Sequence, residues 1–304
     1  MTYQEFKQNV VHAIQTKLGS DIKIIIQDVV KNNDLHLDGL TLLSDQCNIS
    51  PTLYLNYYYK QYLRGISLSE IYEDIILRYK CHTPNTSIDI GFFTDFRKVQ
   101  KNIVFKLINY EQNKILLQNV PHFRFLDLAI VFNCLIQCAP NNYGTILIHQ
   151  EHLNFWHTTP DTLYSLALEN TPRLLGYDLQ NMAQVIETLL ANDSSMDSNS
   201  FCHDIADRDT MLPMYVLSSK TKFNGAVCLL YQNLLAEIAE KYDSDLYIIP
   251  SSIHEVLIIP SDNATSHAKL SAMVREVNAT QVLKEEVLSD HVYFYSKTTG
   301  KLSM

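Results

Sequence analysis

Apolar residues near the N-terminus recur every three or four positions, as they do on one face of an amphipathic helix. These positions are Tyr3, Phe6, Val10, Ile14 and Leu18. The spacing predicts a helix over 2–18 that ends at Gly19, a residue type favoured just after helices. Segment 22–30, which is rich in β-branched residues, and segment 35–43 predict two strands joined by a turn at 32–34.

The next apolar pattern predicts a pair of helices. Ser50 as N-cap and Pro51 at the first helical position predict a helix over 50–64. The second helix, over 67–80, opens with Ser-Leu-Ser-Glu, a pattern typical of a capping box. We expect the two to pack together as a helical hairpin.

The second half of the chain alternates strand-like and helix-like segments. In order, the patterns predict strands over 126–136 and 145–149, helices from 159 and over 179–190, a strand over 213–217, a helix over 225–242, strands over 246–249 and 256–259, a helix over 266–277 and a strand over 292–295. From 213 onward this order is β-α-β-β-α-β, which indicates a lobe with helices packed on a mixed or antiparallel sheet. We therefore predict the α+β class.

The length allows one large domain or two of medium size. We predict an N-terminal α+β region over 1–120, which holds the helical hairpin, and a C-terminal α+β region over 121–304. Inside the second region, segment 192–210 carries five Asp residues against one Arg, which gives a local charge of −4. This composition predicts an acidic surface loop.

The charge balance argues against nucleic acid as a partner. The 304 residues carry a formal net charge of −9, whereas binding to phosphates needs a basic surface. We find no secretory leader at the N-terminus and no apolar run of about 18 residues. The six Cys residues are scattered without a CxxC pair, as is typical of thiols in a reducing cytosol. We therefore expect a cytoplasmic protein with no membrane contact.

The eight Gly residues lie far apart. A Walker loop, a GxGxxG turn and a GxSxG elbow all need clustered Gly, so the sequence excludes these motifs in their usual form. We predict no cofactor.

Two groups contain residue types that bind metals. They are His149, His152 and His157, and Cys202, His203 and Asp204. The first group lacks the HExxH order of zinc sites, and the second lacks the Gly and Glu of an EF-hand loop. We interpret them as surface His residues and as part of the acidic loop, and predict no metal; a metal site at either group is the alternative.

The helix predicted over 50–64 is crowded with Tyr residues. Helical spacing places Tyr58 and Tyr62 on the face of Leu55 and turns Tyr57 elsewhere, so we expect some rings to be exposed. Exposed Tyr beside Arg is typical of binding surfaces. We predict a surface for a protein partner that is formed by Tyr54, Tyr57, Tyr58, Tyr62 and Arg64. The alternative is that the rings pack on the neighbouring helix and strands.

Segment 250–255, Pro-Ser-Ser-Ile-His-Glu, is predicted to be a turn between two apolar strands. His254 and Glu255 are candidate acid-base groups. Further candidate residues for binding are Ser251, Ser252 and Arg275. Because neighbours on a strand point to opposite faces, an ordinary hairpin turn is the alternative.

Several segments of the sequence also resemble a known protein family. They read Asp-Leu-Tyr-Ile-Ile-Pro-Ser-Ser-Ile-His-Glu-Val from Asp245, Met-Val-Arg-Glu-Val-Asn from Met273, Leu-Ser-Asp-His-Val-Tyr-Phe-Tyr from Leu288, and Tyr-Leu-Asn-Tyr-Tyr-Tyr from Tyr54. Over nearly the whole chain they resemble an uncharacterised domain-of-unknown-function family of anaerobic Firmicutes. The segments that begin at Phe125, Trp156 and Leu166 are more weakly similar to a second uncharacterised Firmicutes family. The resemblance implies a cytoplasmic bacterial protein and brings no catalytic residue with it.

These observations favour a non-catalytic binding or regulatory protein. One alternative is an enzyme of unrecognised type that uses the turn at 251–255, near Arg275 or His291. Another is a sensor of a small ligand, with a cleft between the two predicted regions. The sequence does not determine the oligomeric state.

Overall fold

The structure, a computed structural model, describes residues 1–44, 50–82, 90–139, 142–192, 213–250, 252–261 and 266–304. By contact density the chain divides into two units. The first unit comprises residues 1–99 and 135–145, and the second unit comprises 100–134 and 146–304. The predicted boundary between two domains at residue 120 is a claim about which parts of the chain fold independently. It stays a prediction.

Helices and antiparallel sheets alternate along the described chain, so the α+β class is confirmed. The helices are α1 (Tyr3–Leu18), α2 (Leu55–Leu63), α3 (Leu68–His82), α4 (Ile90–Thr94), α5 (Phe96–Val99), α6 (Lys114–Leu117), α7 (Gln150–Trp156), α8 (Pro160–Leu175), α9 (Met182–Asn192), α10 (Leu234–Lys241) and α11 (His267–Thr280). The strands are β1 (Ile22–Lys31), β2 (Leu35–Ser44), β3 (Thr52–Tyr54), β4 (Ile103–Asn109), β5 (Phe123–Phe125), β6 (Leu128–Ala139), β7 (Asn142–Leu147), β8 (Asp178–Asn181), β9 (Tyr215–Ser218), β10 (Leu246–Ile249), β11 (Glu255–Pro260), β12 (Tyr293–Ser296) and β13 (Lys301–Ser303).

The first unit packs α1, α2 and α3 against a three-stranded sheet in the order β1-β2-β3. The core combines apolar side chains from all three helices and from β2: Phe6, Val10, Ile14, Leu40, Leu42, Leu55, Tyr58, Ile71, Ile75 and Tyr79. The predicted hairpin of α2 and α3 is confirmed, and so is the capping box, in which Glu70 N donates to Ser67 Oγ and Ser67 N donates to Glu70 Oε2.

Three helix boundaries were predicted wrongly. The helix predicted from residue 50 begins only at Leu55, because Thr52–Tyr54 pairs with β2 as an edge strand. The helix predicted from residue 179 begins at Met182, because β8 pairs with β9. The helix predicted over 225–242 is a 3-10 turn, Gly225–Leu230, followed by α10, since Asn233 interrupts it with a left-handed backbone. In each case tertiary hydrogen bonds or a turn override the local pattern.

The second unit contains a six-stranded antiparallel sheet in the order β13-β12-β10-β11-β9-β8. The predicted β-α-β-β-α-β order is confirmed as β9, α10, β10, β11, α11 and β12, and β13 adds an edge strand. A second sheet has the order β4-β6-β5, and α8 packs against β4. There Phe105 N donates to the buried Thr171 Oγ1 at 3.0 Å, which fixes the helix to the strand.

Candidate functional site

A cavity of about 310 Å³ lies in the first unit, where β3 meets α2 and α3. We call it the tyrosine cavity, and its lining residues are Thr52, Leu53, Tyr54, Tyr57, Tyr58, Gln61, Asp74 and Arg78. Three of the predicted binding residues therefore converge there. Tyr54 ends β3, while Tyr57 and Tyr58 lie in the first turns of α2. The rings of Tyr54 and Tyr57 stand nearly perpendicular, with centroids 6.2 Å apart.

Three polar residues of the tyrosine cavity, Tyr58, Asp74 and Arg78, are paired with one another. Tyr58 OH donates to Asp74 Oδ2 at 2.8 Å, and Arg78 Nε donates to the same oxygen at 2.7 Å. Burial, followed by the hydrogen bond to Asp74, raises the pKa of the Tyr58 hydroxyl. The hydroxyl therefore stays a proton donor at any physiological pH.

Two lysines lie against the rings of the same cavity. Lys31 Nζ is 4.4 Å from the centroid of the Tyr54 ring, and Lys60 Nζ is 5.7 Å from that of Tyr57. Both distances are within the range of a cation–π contact. These cations help to hold the two rings in place.

The other predicted members of the tyrosine surface lie elsewhere. Tyr62 packs on Phe6 in the core, with ring centroids 6.0 Å apart. Arg64 is exposed after the end of α2 and does not line the tyrosine cavity. Of the four predicted Tyr residues, Tyr58 is buried and Tyr54, Tyr57 and Tyr62 are half-buried, so none has the exposed ring that we expected. They pack against α1, α3 and the sheet.

The turn before β11 places its predicted residues apart from one another. His254 is partly buried, its Nδ1 accepts from Asn224 N at 3.3 Å, and its Nε2 lies 3.7 Å from Glu286 Oε1. Glu255 is exposed on β11. Among the described residues, no hydrogen bond or ion pair joins His254 to Glu255, and neither side chain lines the tyrosine cavity.

The remaining residues predicted around this turn do not complete a reactive centre in the part of the chain that the structure describes. Ser252 is buried and its Oγ accepts from His254 N at 3.1 Å. Arg275 is exposed on α11, where its Nε donates to Ser271 O. His291 contacts Asp127 rather than His254. Ser251 lies outside the described residues.

The histidines near α7 have partners within their own turn. His149 N donates to His152 Nδ1 at 2.9 Å, and the His152 ring stacks on Trp156. Burial, and secondly the neighbouring His149, lower the pKa of His152. Cys202, His203 and Asp204 lie outside the described residues. Within the described ranges, no group of three His, Cys, Asp or Glu side chains could hold one metal ion.

A cluster of hydrogen bonds around the largely buried carboxylate of Asp127 was not predicted from the sequence. Asp127, between β5 and β6, accepts from Ser289 Oγ at 2.6 Å, from the Tyr293 hydroxyl, and from His291 Nδ1 at 3.1 Å. Ser289 is fully buried, so its hydroxyl is not accessible to a substrate. The role of the cluster is to fasten the segment before β12. One signal in the sequence could have indicated this cluster: Asp127 interrupts an apolar run. A charged residue in such a run needs a partner inside the protein.

The second unit holds a larger cavity of about 930 Å³, which we call the α8–α10 cavity. It is lined by Leu168, Pro172, Gly176, Tyr177, Asp178, Leu179, Lys220, Tyr231, Gln232, Leu234, Glu237, Ile238 and Lys241. The α10 residues recur every three or four positions, so they share the face of that helix that lines the cavity. None of these residues was predicted from the sequence, because they come from three separate segments of the chain.

Comparison with protein families matches residues 3–297 to a family of unknown function, DUF5688. The chain belongs to this family. Membership of a domain-of-unknown-function family is thus confirmed, and the DUF5688 description gives no residue a role. Searches of curated proteins and of solved structures find no match. In the described part of this DUF5688 chain, no helix has the length and apolar character that crossing a membrane requires.

Proposed function

We propose that this protein is a non-catalytic binding or regulatory protein, and that the tyrosine cavity receives a side chain of a protein partner. The observation that carries the proposal is the convergence of Tyr54, Tyr57 and Tyr58 on one cavity. Tyr is enriched at protein interfaces because its rigid ring buries much area and loses little side-chain entropy.

The strand beside the cavity supports an extended partner segment. β3 is the last strand of its sheet, and no other described strand pairs with its outer side. A peptide could add there as a further strand, with main-chain hydrogen bonds for affinity and a pocket for one side chain. Residues 52–54 line the cavity themselves, so edge and pocket are adjacent.

The charges of the cavity support an apolar or aromatic side chain of the partner. Asp74 is already paired with Arg78 at 2.7 Å and with the Tyr58 hydroxyl. A charged side chain would have to displace one of these partners, and removing one member of a paired group is costly. The rings of Tyr54 and Tyr57 offer apolar surface without that cost.

Selection of peptides tests the proposal. A random peptide library displayed on phage is selected on the immobilised full chain, and the affinity of the selected peptides is measured by fluorescence polarisation. We expect Tyr57→Ala to weaken the selected peptides about tenfold or more, as truncation of an interface anchor does. Leu63→Ala is the matched control, since Leu63 is on the same helix and is 65% exposed but does not line the cavity.

Two results would contradict this function. One is a selection that yields no peptide above the background of uncoated surface. The other is a set of peptides that bind Tyr57→Ala and the unaltered chain equally well, while circular dichroism shows that the variant is folded.

Neither alternative function is favoured over this proposal. The exposed Glu255 and the distance of 3.7 Å between His254 Nε2 and Glu286 Oε1 give no support to acid-base catalysis at the turn. A ligand cleft between the two predicted regions stays a prediction.

The proposal includes a cytoplasmic location in a bacterium, with an origin among anaerobic Firmicutes as the resemblance implies. Cys81 and Cys228 support a reducing compartment because neither forms a disulfide within the described residues. Burial raises the pKa of both Cys134 and Cys228 to about 12, so these two stay protonated and unreactive. Recovery of the protein in the secreted fraction of its host would contradict this location.

A further inference from the structure

The α8–α10 cavity has walls that are fixed before any ligand binds. Tyr231 OH donates to Gly176 O at 3.0 Å, which ties the end of α8 to the segment before α10. Lys220 N donates to Leu175 O at 3.0 Å, and Lys222 Nζ pairs with Asp178 Oδ2 at 2.6 Å. A cavity with such cross-links keeps its shape, so a ligand need not order its walls.

Several polar side chains that line this cavity have no partner of their own in the described part of the chain. Lys220 and Glu237 make no ion pair there, and Tyr177 and Gln232 make no side-chain hydrogen bond. By contrast, Asp178 is paired, and Lys241 Nζ lies 5.0 Å from the centroid of the Tyr242 ring. One ammonium group and one carboxylate are therefore available to a ligand in the cavity.

Apolar side chains complete the lining. Leu168 and Tyr177 are 42% and 44% exposed, so their side chains offer apolar surface to a ligand. Leu179 and Ile238 add apolar surface from β8 and α10. A volume of about 930 Å³ is at the upper end of ligand cavities and has room for more than a single amino acid.

The lining chemistry selects the class of ligand. Asp178 is paired with Lys222, and Lys241 lies against the Tyr242 ring, so Lys220 and Glu237 are the charged groups left to select a ligand. A nucleotide or another polyanion could pair with Lys220 but would leave the Glu237 carboxylate unpaired and be repelled by it. A zwitterion carries one charge of each sign, so it can pair with both the free ammonium group and the free carboxylate of the lining.

We propose that the α8–α10 cavity binds a short peptide that has a free amino and a free carboxyl terminus. Its carboxylate pairs with the Lys220 ammonium group, and its amino group pairs with the Glu237 carboxylate. Its apolar side chains lie against Leu168 and Ile238. This site is independent of the tyrosine cavity.

Isothermal titration calorimetry with matched peptides tests the assignment on the full chain. The probes are the tripeptide Leu-Ala-Leu with free termini, its N-acetyl form and its C-terminal amide. We expect each cap to weaken binding about fivefold, the value of one exposed ion pair. In Lys220→Met the amide should bind as well as the free acid, and in Glu237→Gln the N-acetyl form should bind as well as the free amine.

Two variants act as matched controls, because they remove the same charges outside the cavity. Lys269→Met and Glu240→Gln lie at exposed positions on α11 and α10, and neither residue lines the cavity. Both should retain the fivefold effect of each cap. A thermal unfolding scan of each variant verifies the fold.

Three results would overturn the assignment. The first is the absence of binding heat for the free tripeptide at millimolar concentration. The second is equal affinity for the free and the capped peptides. The third is an effect of both caps that persists unchanged in Lys220→Met and Glu237→Gln.

Discussion

The tyrosine cavity and the α8–α10 cavity are built in opposite ways. In the first, Asp74 accepts from both Tyr58 and Arg78, so the charged groups of the lining satisfy one another. In the second, the walls are joined through the backbone carbonyls of Gly176 and Leu175 and by the Lys222–Asp178 pair, and Lys220 and Glu237 stay available. Paired polar groups shape a cavity, whereas unpaired ones select a ligand.

This difference also separates the two proposals. The tyrosine cavity offers mainly ring surface, which suits a side chain of a protein. The α8–α10 cavity offers separated charges of both signs, which suits a small zwitterion. Point substitutions can test whether contacts between side chains hold the tyrosine cavity and whether contacts to the backbone hold the α8–α10 cavity.

The largest effect is expected at Gly225, in the 3-10 turn that leads to Tyr231. A Cβ at this position would lie 2.3 Å from His254 O and 2.4 Å from Ser219 N. Because these are backbone atoms, they cannot rotate away, and Gly225→Ala should lower the free energy of unfolding by about 3 kcal/mol. Urea denaturation measures this change.

Gly65→Ala is the control for Gly225→Ala. Gly65 has a positive φ of 97°, but a Cβ there meets nothing within 4 Å. Backbone strain alone should cost about 1 kcal/mol. Equal losses in the two variants would show that the close backbone contacts at Gly225 cost no more than the positive φ at Gly65.

The next largest effect is expected in the first unit, for Tyr58→Phe. The change deletes the hydroxyl that donates to Asp74 at 2.8 Å, and the ring is only 6% exposed. A hydrogen bond to a charged group contributes about 2 kcal/mol, so urea denaturation should show a loss of that order. Tyr54→Phe, whose hydroxyl donates no hydrogen bond in the described structure, should leave the stability unchanged. If Tyr58→Phe leaves the free energy of unfolding unchanged, the hydrogen bond between Tyr58 and Asp74 does not shape the tyrosine cavity.

A smaller effect is expected for Tyr231→Phe at the wall of the α8–α10 cavity. The hydroxyl donates to a neutral carbonyl, Gly176 O, at 3.0 Å, and the loss should be about 1 kcal/mol in thermal or urea unfolding. Tyr177 lines the same cavity, and its hydroxyl makes no hydrogen bond within the described residues. Tyr177→Phe should therefore leave the free energy of unfolding unchanged. If both variants lose the same free energy, the hydroxyl of Tyr231 does not lock the wall.

The smallest effect concerns pH and the start of α3, the helix that carries Asp74 and Arg78. Hydrogen bonds from Ser67 lower the pKa of Glu70 below its ordinary value of 4.5. A carboxyl group with a lowered pKa in the folded state stabilises the fold above the unfolded pKa, and that contribution is lost as the pH falls through the folded pKa. The melting temperature should therefore fall below pH 4.5 in part because of Glu70.

Calorimetric scans between pH 3 and 6 measure this contribution. Glu70→Gln and Ser67→Ala should each flatten the same part of the profile, and the double variant should flatten it no further. A profile that neither variant changes would show that the capping box is not coupled to the stability of the first unit.

The candidate site illustrates how far local patterns reach. The tyrosine cavity takes five of its lining residues from residues 52–58, so the crowding of Tyr in the sequence indicated it. The predicted surface also included Tyr62 and Arg64. The spacing of residues along one helix does not show which of its faces is covered by a neighbouring helix. The structure assigns Tyr62 to the core beside Phe6.

The sequence by itself determined the elements whose signals are local. Helical spacing gave α1, the Ser-Leu-Ser-Glu capping box gave the start of α3, and the order of apolar segments gave the C-terminal strands and helices. These signals depend on hydrogen bonds and side-chain contacts within a few residues, which a single segment contains in full.

Only the tertiary structure decided the features made by distant segments. Residues 52–54 form a strand because β2 offers its edge, and Asp127 meets Ser289 across 162 positions of the chain. The α8–α10 cavity likewise joins residues near 170, 220 and 235. Such contacts form when the chain folds as a whole and buries its polar groups with partners, so no segment read alone contains them.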